Sequence, residues 1–161
     1  MSIEALNQAE IDALIACPKR VTNPSSRPKA EGKHIRHDYQ VASLDDRHQF
    51  VLFTRQSTMI AESFTAGLRW CSKTGEEVIL MRCNGADHPH NNSIERDRFE
   101  RHCHVHRATE RYLAAGRKVE SFAEVTDAYR SLEGALHHLI QLTSISGLKT
   151  GPDETDLFHK P

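Results

Sequence analysis

From residue 34 to residue 107, apolar and polar side chains alternate in short runs separated by turn-forming residues. That pattern limits the fold more than any other in the chain. A period of two puts successive side chains on opposite faces of a strand, so each run buries one face and leaves the other polar. The runs cover roughly 34–43, 48–56, 64–72, 77–83 and 98–107, with turn chemistry at Asp45-Asp46, Lys73-Thr74-Gly75 and Asn84-Gly85. Short connections of this kind join antiparallel neighbours. We therefore expect a single antiparallel sheet of about five strands.

Helical signals flank this region. Asn7 and Glu10 have capping-box spacing and Leu6 and Ile11 hydrophobic-staple spacing, while Ile11, Leu14 and Ile15 extend one apolar stripe as far as Pro18. Residues 108–115 suit a short helix closed by Gly116. Ser121 and Glu124 repeat the capping-box spacing, and Val125, Ala128, Tyr129, Leu132, Ala135, Leu136, Leu139 and Ile140 predict a helix over 121–146 that Gly147 ends. The expected class is α+β, with the N-terminal and C-terminal helices packed on one sheet face and the other face free.

A chain of 161 residues, 38% hydrophobic and 27% charged, fits one domain over 1–161 that buries its own core. Within it, residues 18–33 carry Pro24, Pro28 and Gly32 among Lys19, Arg20, Arg27, Lys29 and Lys33, and read as a basic mobile arm. The segment 147–161 reads as a flexible tail. A formal net charge of -1 gives no global pull toward nucleic acid or an anionic membrane, so such contacts require a local patch. Cys17, Cys71, Cys83 and Cys103 form no CxxC pair, and the longest aliphatic run, Val78-Ile79-Leu80-Met81, is far too short to span a bilayer. A cytoplasmic protein with reduced thiols and no membrane partner is expected.

The polar face of the sheet carries the chemistry. In the third strand Phe64, Ala66, Leu68 and Trp70 alternate with Thr65, Gly67 and Arg69, so the first set faces the helices. In the fifth, Phe99, Cys103 and Val105 fall on one side, and Glu100, His102, His104 and His106 on the other. Alternate residues on a strand point the same way with Cα atoms about 6.6 to 6.8 Å apart, near enough for two imidazoles to share an ion. His102, His104 and His88 are thus candidate ligands for a divalent transition metal, with Asp87 and His90 in the same polar loop. Without a metal, histidine can take and return a proton near neutral pH, the pair of roles needed to cleave RNA at its own 2′-hydroxyl. Arg69, Arg82 and Arg55 are candidate cations for the phosphate. The plainest alternative makes the histidines the solvated half of an amphipathic strand in a non-catalytic protein-interaction module.

The stretch from Phe50 to Tyr112 resembles small bacterial proteins of unknown function and, more distantly, the TumE-like toxins of toxin-antitoxin pairs. The shared outline is a strand ending in Arg82-Cys83-Asn84, a histidine in the next loop (His88), then a His-x-His strand and a helix. The resemblance implies a compact sheet with helices on one side and a nucleic-acid-directed activity whose site holds Arg82, Asn84, His88, His102 and His104. The expected function is then an RNase-like toxin with RNA as substrate and a cognate antitoxin as partner. Its catalytic residues would be His102, His104 and His106, and its substrate-binding residues Arg82, Asn84, His88 and Arg69. A metal-dependent hydrolase on the same strand and the interaction module remain the alternatives.

Overall fold

Four of the five alternating runs become long strands within one residue of the expected limits in the computed structural model, which describes residues 6–148. In chain order the elements are α1 (Gln8–Ala16), β1 (Lys19–Val21), β2 (Lys29–Glu31), β3 (His34–Ser43), β4 (Gln49–Ser57), β5 (Phe64–Cys71) and β6 (Glu77–Asn84). Then come β7 (His90–Asn92), β8 (Asp97–Phe99), β9 (His104–Arg107), α2 (Glu110–Ala114), β10 (Ala123–Val125), α3 (Leu132–Thr143) and β11 (Ile145–Ser146). Residues 149–161, most of the expected tail, lie outside the described residues.

The expected single five-stranded sheet is overturned. Among the described residues there is a nine-stranded sheet in the order β10-β9-β6-β5-β4-β3-β1-β11, with β2 on the edge of β3, and a separate two-stranded β7-β8 ribbon. β1 and β11 pair in parallel, so the large sheet is mixed rather than antiparallel throughout. The additional strands are two or three residues long, too short for a period of two to show. Two of them, β1 and β2, lie in the 18–33 segment and pair with β3.

The fifth run and the last helix also differ from expectation. Only His104–Arg107 of the 98–107 run joins the large sheet; its beginning belongs to β8, and His102 lies outside both strands. Helix α3 starts at an Ser131 N-cap, ten residues after the expected one. The segment ahead of it pairs as β10 with β9, and the Asn92 carboxamide holds both the N–H and the C=O of Ala123, at 2.9 and 2.7 Å. Those bonds fix residues 123–125 as extended backbone. Helix α1 has the expected capping box, in which the Asn7 side chain accepts from the Glu10 N–H and the Glu10 carboxylate from the Asn7 N–H.

Helix α3 packs on β4, β5 and β6, and α1 on β6 and α3, so both helices cover one face. Ile11, Leu14, Ile15, Ala135 and Leu139 meet Phe50, Leu52, Ala66, Leu68, Trp70 and Cys83 there in one apolar core. At about 25 cal/mol per Å² of apolar surface removed from water, this burial is the main stabilising term. A buried Lys19 ties the layer together at one end: its Nζ donates to the carbonyls of Ile15, Cys17 and Thr143 at 2.7–2.8 Å. The ammonium thus caps the C-terminal ends of both helices, where the backbone presents unpaired carbonyls and a partial negative charge. Burial pulls its pKa down to about 8.

A β-bulge decides what the other face displays. The register of β5 against β6 shifts between Leu68 and Arg69, leaving Leu80 as the extra residue. Before the bulge Val78 lies opposite Trp70; after it Met81 and Cys83 lie opposite Leu68 and Ala66. The core face therefore continues through Met81 and Cys83, and Arg82 and Asn84 turn to the opposite side despite sharing parity with Val78.

Candidate functional site

Residues directly opposite on neighbouring strands point to the same side of a sheet, and two such rows cross the helix-free face. The first runs Arg36, Arg55, Thr65, Asn84, His104 and Val125. The second runs Asp38, Phe53, Gly67, Arg82, His106 and Ala123. His104 and His106 thus share a face with Arg82 and Asn84, each directly across from one of them.

That end of the face is covered by the β7–β8 ribbon. His90 and Phe99 lie against His104, with ring centroids 5.8 and 5.3 Å away, and His90 meets His106 at 4.9 Å. The ribbon is held by the Asn92–Ala123 bonds, and its turn by Tyr112, whose hydroxyl donates to Glu95 at 2.6 Å. Arg111 pairs with the same carboxylate, also at 2.6 Å. Gly85, where the covering loop leaves β6, is a close approach: a Cβ there would run into the Glu62 carbonyl and the Phe64 ring.

Beneath the ribbon the imidazoles are fixed by their partners. His104 Nδ1 donates to the His102 carbonyl at 2.8 Å and His106 Nδ1 to the Glu120 carbonyl at 2.9 Å. In neutral rings this leaves the lone pairs on Nε2. His104 is fully buried and its Nε2 has no hydrogen-bond partner. Burial lowers the pKa of both rings; for His106, which Arg82, His104 and His90 also disfavour as a cation, it falls to about 3. These two rings are held neutral and dry.

The accessible chemistry lies beside them. His88, 5.5 Å from the His104 ring, has a half-exposed side chain and donates from Nδ1 to Asp87 at 2.8 Å, leaving Nε2 free. It lines a recess of about 80 Å³ together with Asp87, Asn84, Thr65, Arg55 and His34. Asn84 is set there by Thr65, which donates to its Oδ1 at 2.9 Å. Arg55 is exposed and has no carboxylate partner among the described residues; one of its terminal nitrogens lies 3.4 Å from His34 Nδ1. A guanidinium only donates, so His34 Nδ1 accepts and its Nε2 carries the proton in the neutral ring. A larger concavity of about 690 Å³ lies around His48, Trp70 and Lys73 at the other end of β4 and β5 and shares no residue with this recess.

The sequence-expected residues therefore fall into separate groups. His88 and Asn84 line the recess, and His104 and His106 lie behind it under the ribbon. Arg82 faces His106 across the sheet, with a terminal nitrogen 3.6 Å from buried Glu120. Arg69 lies one row further along, paired with Glu77 at 3.1 Å, and the His102 ring is exposed, contributing only its carbonyl to His104. As candidate metal ligands, His102, His104 and His88 do not converge; among the described residues no group of three or more His, Cys, Asp or Glu side chains is disposed to hold an ion. His34 escaped the sequence reading. The one signal for it was parity: it shares a strand face with Arg36, which the strand pairing sets opposite Arg55.

No helix among the described residues is long and apolar enough to cross a membrane. Comparison with curated proteins and with solved structures finds no match. No likeness to the TumE-like toxins is found. What matches is a family model, described as a family of unknown function (DUF6978), over residues 6–139. With the ribbon, the recess and every strand from β1 to β10 inside that span, the chain belongs to this family.

Proposed function

We propose that the recess is an acid/base site for phosphodiester chemistry and that the protein cleaves RNA at the 2′-hydroxyl. One observation carries this reading: an accessible imidazole, oriented by the Asp87 carboxylate, shares a small recess with an arginine that makes no ion pair among the described residues. The volume corresponds to between two and three waters at about 30 Å³ each, room for one phosphoryl group. Arg55 binds the non-bridging oxygens, since a guanidinium fork matches a phosphate. His88 Nε2, the free lone pair, takes the proton of the 2′-hydroxyl, and the resulting oxygen attacks phosphorus. The P–O5′ bond breaks as a protonated His34, its Nδ1 released when Arg55 turns to the phosphate, delivers the Nε2 proton to the leaving oxygen and returns to the neutral ring, giving a 2′,3′-cyclic phosphate and a 5′-hydroxyl. Neutral His104 packs against His88 with His106 beside it, a dry backing behind the recess that strengthens the field of Arg55 on the phosphate.

The test is incubation of the purified protein with single-stranded RNA, reading cyclic-phosphate ends, with and without chelator. Wild type is expected to produce them in either condition. His88→Ala should slow the reaction by about 10²–10⁴-fold, the range of a general acid or base. His48→Ala, at the far end of the sheet, should leave it unchanged. Intact RNA with wild type, or equal cleavage by His88→Ala, refutes the reading; loss of activity in chelator would transfer it to a metal-dependent hydrolase.

A further inference from the structure

The recess has room for a phosphoryl group but not for a nucleobase, so the base next to the scissile phosphate must lie outside it. Phe53 occupies the neighbouring position. It is two residues from Arg55 on β4 and on the same face, about 6.7 Å along the strand. The core lies on the opposite side of the sheet, so burial among the helices does not explain an aromatic side chain here. Its cross-strand partner is Gly67, where a Cβ would run into the tip of the Phe53 ring. The missing side chain lets the ring settle onto the sheet.

Two guanidinium groups lie over that partly buried ring, with Arg36 Cζ 6.0 Å and Arg69 Cζ 5.7 Å from its centroid. Each is held there by a carboxylate, Arg36 by Asp38 at 3.0 Å and Arg69 by Glu77 at 3.1 Å. An aromatic ring under two guanidinium groups, one strand step from an arginine with no carboxylate partner among the described residues, complements a single strand that carries flat bases on an anionic backbone.

We infer that Phe53, seated over Gly67 between Arg36 and Arg69, is a stacking platform for the base adjacent to the phosphate that Arg55 holds, which makes single-stranded RNA the substrate form. This inference rests on the phosphodiester reading above. Stacking engages any base through its π-face, so binding is expected to depend weakly on sequence and strongly on strandedness: a paired base has no free face to offer.

The experiment uses the full chain and a 2′-O-methyl RNA oligonucleotide, which lacks the attacking hydroxyl and stays intact, with 2-aminopurine as a fluorescent base. Wild type should bind it and quench the fluorophore. Phe53→Leu should lose the quenching and bind about tenfold more weakly, with its melting transition followed as a control for folding. Phe53→Tyr keeps a ring and should retain both signals. Equal quenching and affinity in Phe53→Leu, or equally tight binding of a duplex, overturns the inference. Cleavage of ordinary RNA is assayed in parallel. Wild type that cleaves RNA without quenching refutes the platform alone, whereas wild type that neither cleaves nor binds refutes the site reading as well.

Discussion

Acid should destabilise this protein through the imidazoles under the ribbon. His106 is buried, and its pKa is lowered to about 3 from a reference value of about 6.5, with desolvation the largest cause and the Arg82 charge next. Between those two values the unfolded chain binds a proton that the folded chain refuses, so stability is complete above pH ~6.5 and is lost as pH falls. The slope is about 1.4 kcal/mol per pH unit for one such group. From pH 6.5 to 4.5 His106 alone should therefore remove about 2–3 kcal/mol, and His104, whose pKa burial lowers in the same direction, adds to the loss. Against a total of about 5–15 kcal/mol, that is a large fraction. The assay is urea unfolding at pH 7.5 and 4.5 for wild type and His106→Asn. Asparagine retains an N–H for the Glu120 carbonyl that His106 Nδ1 now engages but does not titrate. The variant should lose about 2 kcal/mol less than wild type over this interval. An equal loss in both proteins would show that protonation of His106 is not what acid exploits.

Other perturbations test the supports of the site. Lys19→Met should lower unfolding free energy by about 2–4 kcal/mol in urea titrations, because it strips the carbonyls of Ile15, Cys17 and Thr143 of their shared donor; a change below about 0.5 kcal/mol would refute the capping role. Gly85→Ala should destabilise by more than about 2 kcal/mol, since its Cβ meets backbone at the Glu62 carbonyl; an unchanged melting temperature would contradict that close approach. Asn92→Ala should speed amide exchange in β7 and β8 at least tenfold while leaving β4 and β5 protected, because both bonds to Ala123 are lost. Arg55→Gln should weaken RNA binding more than it alters folding stability, as the side chain is exposed and has no carboxylate partner among the described residues.

The long strands were legible because each has enough residues to show which face is apolar. Phe64, Ala66, Leu68 and Trp70, for example, are all buried as their alternation implies. The short strands carry no period, and their pairing is decided by partners far away in sequence. β10 is the instructive case. Ser121 and Glu124 mimic a helix start, but the two bonds from Asn92 hold Ala123 extended, and the actual N-cap, Ser131, accepts the Gly134 N–H with a glycine where a capping box would carry an acidic residue. In the site, the shared face of His104 and His106 followed from their spacing. Their burial did not, since the ribbon that covers them is built from polar residues such as His90, Asn91 and Asn92. Arg82 was ambiguous by parity alone, and only the bulge at Leu80 resolves its direction.

The parallel pairing of β1 with β11 sets Lys19 beside Ile145, with supporting bonds spanning 124 and 127 positions of chain. Such a closure gains nothing until nearly all the intervening polypeptide is available, and its entropic toll grows with the length enclosed. A nascent chain emerging from the ribosome therefore carries β1 as a bare rim of the sheet until its last turns of helix and strand are synthesised. Bare rims recruit other strands, so a product terminated just before Ile145 should self-associate, although every residue of the recess is already in it.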